Sequence, residues 1–411
     1  LRAGLDASSG RHERLRRPRP GLTSNPRASE GAGTFWGDVA VARRPEEERM
    51  ERRKFLTAAG VGVAGGAALA APAVAQTQPK IRWRIASSFP KSLDTIYGGA
   101  EVFAKAISDM TDGNFTAQVF AAGELVPGLE AANAVTNGTV EACHTCSYYY
   151  VGKDPTFALG TAVPFGLNAR QMNAWLRSGG VQMLDEFYAK YKIVNLPCGN
   201  TGAQMGGWFR KEINNLDDLK GIKMRIAGLA GQTMAKLGAV PQQIAGGDIY
   251  PSLEKGVIDA AEWIGPYDDH KLGFYQVAKN YMYPGWWEGG PCIHLFINSD
   301  KWAELPPVYQ AIARGAAAIA NETMLARYDN QNPKALREIV ASGVKLKPYS
   351  PDIMEAAYKA SQEIYADLYS KNEAFKKIHE AQTSFRNEEV LWFRVAELPF
   401  DSFMARMQAR G

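Results

Sequence analysis

Cys143-His144-Thr145-Cys146 is the spacing in this chain that most directly suggests chemistry. Two thiols three residues apart make a thioredoxin-like redox pair, or half of a structural zinc site. Structural zinc needs a second such pair, and Cys198 and Cys292 stand apart. A redox pair opens a helix after a strand, whereas the aromatic run Tyr148-Tyr149-Tyr150 follows this one. The expectation is therefore structural thiols or a local disulfide between Cys143 and Cys146. The histidines at 12, 144, 270, 294 and 379 form no pairing suited to zinc or to a nucleophile–base dyad. Nothing in the sequence resembles a Ser/His/Asp set or a Gly-rich phosphate cradle.

The elements around these residues read as an α/β protein. Ile81 to Ala86 alternates apolar and polar side chains, as a half-buried strand does. Ile96, Ala100, Phe103, Ala104 and Ile107 then repeat at three- and four-residue spacing, the mark of an amphipathic helix. Phe115 to Phe120 is the next strand and Leu129 to Asn137 the next helix, and this βαβα rhythm predicts a mainly parallel sheet covered by helices. A second α/β unit begins around Gly206 to Phe209. It continues through a capped short helix and strand (Asn215 to Ile226), a helix from Gly231 to Leu237, and Tyr250 to Lys255. Cys292 to Ile297 reads as a strand returning to the first unit. Beyond Pro306 the chain is helical, with amphipathic stretches at 309–328, 352–369 and 387–407. In sheets of this kind ligands sit beyond the carboxyl ends of the strands.

The N-terminal quarter is different. Residues 1–49 hold ten Arg and no Lys without helical or strand periodicity, and read as a disordered or spurious extension. Residues 50–75 have the order of an export signal. Arg52-Arg53 precede a weakly hydrophobic Ala- and Gly-rich run that ends in the small-x-small site Ala73-Val74-Ala75. The paired arginines resemble a twin-arginine (Tat) signal, which exports folded proteins to the periplasm; an ordinary Sec signal is the alternative. Residues 1–75 contain 13 of the 47 Lys and Arg and 8 of the 43 Asp and Glu. The remainder carries 34 basic and 35 acidic side chains, a net charge of −1. The basic character belongs to the leader, and a nucleic-acid partner loses its support.

Three blocks carry a family resemblance. Leu219-Lys220-Gly221-Ile222-Lys223-Met224-Arg225 has the Leu-Lys-Gly-x-Lys-x-Arg pattern that leads into a strand, and Gly256 to Trp263 resembles a G-x-x-D-(A/G) strand entry. Glu262-Trp263-Ile264-Gly265-Pro266-Tyr267 with Gly285-Trp286-Trp287-Glu288 completes the set. In this order the blocks resemble the DctP-like solute-binding receptors of TRAP (tripartite ATP-independent periplasmic) transporters, from about Ile81 to Met407. The last block resembles the subgroup that binds 2-oxo acids such as pyruvate together with a metal ion.

The resemblance implies a two-lobed periplasmic binding protein, type II-like, with a long helix spanning both lobes and a helical C-terminal tail. Lobe I would comprise 80–203 and about 292–325, lobe II 204–291 and about 326–385, and the tail 386–411. Arg225 would grip the ligand carboxylate, because a guanidinium offers two parallel N–H donors to a planar acid. Gln204, Glu262, Trp263 through its carbonyl, and Glu288 would hold Na⁺ or Ca²⁺, hard ions that prefer oxygen donors. Tyr148, Tyr149 and Phe89 would close over a small 2-oxo or 2-hydroxy monocarboxylate, with Trp286 and Trp287 as hydrophobic wall. The partners implied are the membrane permease subunits of a TRAP system. A second copy of the chain is also implied, since some such receptors exchange a C-terminal helix and Val390 to Phe393 with Phe400 to Met404 form an apolar stripe. No catalysis is implied. A periplasmic metal- or thiol-dependent enzyme is the alternative from another class, and a receptor of this fold feeding a sensor is a third.

Overall fold

The structure is a computed structural model that describes residues 78–410. The extension and export signal read from the sequence lie outside the described residues.

Local sequence explains the first elements. In β1 (Ile81–Ser87) Trp83 and Ile85 are buried, whereas Arg82 and Arg84 face outward and Arg84 pairs with Glu141. In α1 (Ile96–Asp109) Ile96, Ala100, Phe103 and Ile107 form the buried face. With β2 (Phe115–Phe120), β3 (Ala142–Thr145), β4 (Ile193–Asn200) and β10 (Cys292–Asn298), these strands build a five-stranded sheet in the order β2-β1-β3-β10-β4.

The second sheet has the order β11-β9-β5-β8-β6-β7. It uses β5 (Trp208–Phe209), β6 (Lys223–Arg225), β7 (Val240–Gln242), β8 (Ala260–Ala261), β9 (Asn280–Tyr283) and β11 (Lys345–Pro348). Asn215 caps the short turn before β6 through a reciprocal box with Asp218, which fixes where that strand starts. Both sheets are mainly parallel, as the βαβα rhythm predicted, and each contains one reversed strand. β10 runs antiparallel to both of its neighbours, and β5 antiparallel to β8 and β9. The reason is connectivity: these strands carry the chain from one lobe to the other and enter from the opposite end.

Two segments cross between the sheets, residues 201–207 and 284–291, and they are hydrogen-bonded to each other. Gln204 N–H donates to the Glu288 carbonyl at 3.2 Å and Gly285 N–H to the Gln204 carbonyl at 3.1 Å. A Cβ on Gly285 would lie 2.5 Å from that Gln204 oxygen, so the approach requires glycine.

Four helices frame the second lobe and the ends of the chain: α2 (Gly228–Lys236), α3 (Pro266–Lys271), α4 (Pro307–Ala341) and α5 (Pro351–Lys371). The 35-residue α4 spans both lobes, packing on β4 and α1 of the first and on α3 of the second. Its Tyr328 hydroxyl donates to Asp268 at 2.8 Å, and its Asn332 accepts from Tyr267 N–H at 3.0 Å. The C-terminal helix α6 (Glu373–Gln408) buries Phe375, Ile378, His379 and Gln382 against the body. Beyond residue 387 it exposes Leu391, Trp392, Val395, Leu398, Phe400 and Phe403. Among the described residues no helix is long and apolar enough to cross a membrane.

Candidate functional site

Sheet register determines the partner of Arg225. It ends β6, which pairs in parallel with β8 so that Arg225 lies opposite Ala261, and Glu262 N–H bonds the Arg225 carbonyl at 2.9 Å. The Arg225 side chain is 1% exposed and that of Glu262 0%. Arg225 Nη1 donates to Glu262 Oε2 at 2.7 Å and to the Glu262 carbonyl at 2.5 Å, while Nε donates to the Ile244 carbonyl at 3.2 Å. The guanidinium also lies 5.0 Å from the Trp263 ring centroid, within cation–π range. The sequence reading assigned Arg225 and Glu262 separate tasks, and the structure joins them in one buried ion pair. With Nη1 and Nε engaged, Nη2 is the nitrogen of the fork that makes no hydrogen bond among the described residues.

Gln204 and Glu288 lie on the two crossing segments, so the site and the junction between the lobes coincide. Gln204 Nε2 donates to Thr201 Oγ1 at 3.2 Å. The Tyr148 hydroxyl reaches Glu288 Oε2 at 3.5 Å, the outer limit of a hydrogen bond. Gln204 Oε1 and Glu262 Oε1 are buried without a protein partner. Desolvating an oxygen acceptor this way costs about 1–3 kcal/mol unless something satisfies it.

From the first lobe come Phe89, just past β1, and Tyr148 and Tyr149 on the helical turn Ser147–Tyr150 that follows β3. Phe89 meets the second lobe's Trp263 edge-on, with ring centroids 6.5 Å apart. Gly228 at the start of α2 has φ +64°, and a Cβ there would sit 3.3 Å from Tyr148, so the lobes are in close contact. Gln243 donates across the cleft to the Tyr149 carbonyl at 3.0 Å. Asp94 accepts from the Tyr267 hydroxyl at 3.2 Å and pairs with Lys271. The molecule is closed.

A small cavity of about 10 Å³ remains between the lobes. That is about the space of one water, so the lobes have closed down tightly around the site. Of the residues the resemblance assigned to the ligand and cation, Phe89, Tyr148, Tyr149, Gln204 and Trp263 line the cavity. Arg225 and Glu288 adjoin it through Trp263 and Tyr148. Trp286 and Trp287 do not line it and belong to the core of the second lobe. The sequence reading missed Ile96, Cys146, Thr201, Ile264 and Ile293. Only Cys146 carried a signal, and that signal suggested different chemistry.

Electrostatically, two buried carboxylates share one guanidinium. Burial pushes Glu262 up to about 7, with Arg225 pulling the other way. Burial and the neighbouring Glu262 charge push Glu288 well above the usual carboxylate range. A cation would remove this penalty. The donors present fit a hard ion: two carboxylates, an amide oxygen without a partner, and backbone carbonyls. Among the described residues no three His, Cys, Asp or Glu side chains converge as a metal site, so an ion here would draw on amide and carbonyl oxygens. Asp269 braces this wall, which the sequence reading also missed. It accepts from Trp208 Nε1 at 2.9 Å, the Tyr281 hydroxyl at 2.6 Å and Ile264 N–H at 3.3 Å.

All four cysteines are free and buried. The structural-thiol expectation holds and the local disulfide does not, because Cys143 lies within β3 and Cys146 past its end. Burial raises all four thiols, the opposite of what a reactive thiolate needs.

Comparison with known proteins accords with this geometry. The family model for bacterial extracellular solute-binding protein, family 7, matches residues 86–372. A monocarboxylate 2-oxoacid-binding periplasmic protein of Nostoc sp. is 48% identical over 365 residues, 87% of this chain and 100% of that protein. A TRAP transporter solute-binding protein from Bordetella bronchiseptica is 51% identical with a TM-score of 0.80, covering 81% of this chain and 99% of that one. That protein is a mixed-occupancy dimer, with copurified calcium and picolinate in one active site and the other apo. A TRAP periplasmic solute-binding protein from Pseudoalteromonas atlantica, with bound sodium and pyruvate, is 34% identical at a TM-score of 0.76, covering 79% and 99%.

Proposed function

Because the chain belongs to the bacterial extracellular solute-binding proteins of family 7, we propose that it is a periplasmic TRAP receptor for a short 2-oxo monocarboxylate such as pyruvate. It is a binding protein, not a catalyst. It captures the acid with Na⁺ or Ca²⁺, closes, and delivers it to the membrane permease subunits of a TRAP system. Arg225 supplies the guanidinium for the carboxylate. Gln204, Glu262, the Trp263 carbonyl and Glu288 supply oxygens to the cation, and Phe89, Tyr148 and Tyr149 close from the first lobe.

The observation that carries this reading is the pair of partnerless oxygens, Gln204 Oε1 and Glu262 Oε1, beside two carboxylates and a single arginine. Without a cation, the acid would meet an arginine already paired with Glu262 and a Glu288 carboxyl pushed toward its neutral form. A cation balances the carboxylates and gives the acid a second electrostatic partner. The Nostoc relative is described as binding 2-oxo monocarboxylates, and the Pseudoalteromonas structure holds pyruvate with sodium.

A thermal-shift screen of small carboxylates, with and without Ca²⁺ or Na⁺, tests the reading. A ligand that binds only the folded state raises stability, by about 2.7 kcal/mol at a hundredfold excess over Kd. Pyruvate-type acids should raise the melting temperature in the presence of a cation and much less after chelation and dialysis. An equal shift in cation-free protein would remove the cation from the function. No shift with any 2-oxo acid would remove the substrate class.

Two further parts of this reading concern the whole chain. Residues 50–75 direct twin-arginine export, on the strength of Arg52-Arg53 and the weakly hydrophobic run behind them. The exposed apolar face of α6 joins two copies, supported by its composition and by the dimer seen for the Bordetella relative.

A further inference from the structure

Within Cys143-His144-Thr145-Cys146 the structure separates the two thiols. Cys143 is inside β3, whose register sets it opposite Phe296 of β10. Cys146 lies past the end of the strand and forms part of the cavity wall. The cavity has two kinds of lining. Tyr148, Tyr149, Thr201 and Gln204 bring polar side-chain atoms, whereas Phe89, Ile96, Cys146, Ile264 and Ile293 offer only carbon and sulfur.

We infer that Cys146, with Ile96 and Ile293, is the wall that limits the alkyl chain of the ligand and so sets which 2-oxo acid is taken. This rests on the receptor reading above, in which the carboxylate and 2-oxo oxygens face the polar groups. The alkyl group then meets the apolar remainder. Each wall residue is held by a rigid element: Ile96 opens α1, Ile293 is in β10, which is paired on both sides in its sheet, and Cys146 directly follows β3. All three are buried. Close-packed interiors of this kind do not give way to an extra methylene without cost. A buried, protonated thiol behaves as a small apolar surface rather than a nucleophile. The same wall excludes a second carboxylate, which would lose its water and find no donor there.

Calorimetry with the homologous series pyruvate, 2-oxobutanoate and 2-oxopentanoate, at saturating cation, tests the wall. Wild type should show a break at which one added methylene lowers affinity about tenfold or more, within the roughly 10–200-fold that one methylene commands in an apolar pocket. Cys146→Ala should move that break one carbon longer, improving the first excluded homologue about tenfold relative to pyruvate. Ile96→Val, a smaller excision, should move it in the same direction and serves where Cys146→Ala does not fold. Cys146→Ser is close in size and should leave the break in place. If the serine variant shifts it as alanine does, thiol chemistry and not size is responsible, and the inference falls. Folded variants whose homologue-to-pyruvate ratios stay within about twofold of wild type also overturn it, while the receptor reading stands. Wild-type protein that binds no member of the series defeats both.

Discussion

Deleting the Arg225 side chain does two separable kinds of damage. In the proposed reading it removes a charge-assisted donor from the acid, a loss of ~2–5 kcal/mol, or roughly 30- to several-thousand-fold in affinity. It also leaves Glu262 buried without its counter-charge, and breaking a buried pair from one side costs about 3–5 kcal/mol of stability. Arg225→Ala should therefore bind acid poorly and unfold early. The double variant Arg225→Ala, Glu262→Gln should recover part of the stability and none of the acid affinity, read by urea unfolding and calorimetry. Wild-type acid affinity in folded Arg225→Ala would remove this residue from the ligand. Glu262→Gln and Glu288→Gln alone should weaken the cation first and the acid in consequence, so that more Ca²⁺ or Na⁺ partly restores acid binding. Normal acid binding by both variants after chelation and dialysis would leave a plain arginine clamp without a bridging ion.

Helix α6 shows what a single sequence reveals about an element and what it conceals. The amphipathic stretch at 387–407 was legible from spacing, but the helix begins at Glu373 and runs through Pro399 without a break. A proline inside a helix costs ~3 kcal/mol. Strands fared unevenly for a physical reason. β1 and β2 alternate or carry β-branched and aromatic residues, whereas β4 contains Pro197 and Gly199 and is largely buried, so no period betrays it. Within the site, Glu262 and Glu288 stood out as polar residues in the motif blocks, whereas Gln204 came from the family resemblance alone. Ile96 and Ile293 were not legible, since an apolar pocket wall has the same composition as core. The Arg225–Glu262 pair depends on the register of β6 with β8, which only the folded sheet supplies. The exposed face of α6 leads to a prediction at this scale. Protein ending at Arg386, which bonds the Phe165 carbonyl, should run as a monomer in light scattering where the full chain runs as a dimer. A dimer that survives truncation would place the interface elsewhere.

For the molecule as a whole, both lobes and the junction between them act as one binding device. Gln204 and Glu288 bond the two crossing segments to each other, and in the proposed reading they also hold the cation, so filling the site and fixing the lobe angle would be a single event. Export belongs to this scale as well. Replacing Arg52 and Arg53 by Lys should strand precursor in the cytoplasm, and periplasmic accumulation at the wild-type level would assign the signal to the Sec route instead. The four unpaired thiols give that route a chemical consequence. Four cysteines can be fully paired in three ways, and the oxidising periplasm would act on any of them in an unfolded chain. In the finished fold each sulfur is sealed from solvent, and no two are bonded. A chain that crosses the membrane already folded has passed the stage at which an oxidant could lock a wrong pair. A chain threaded through unfolded has that stage still ahead of it.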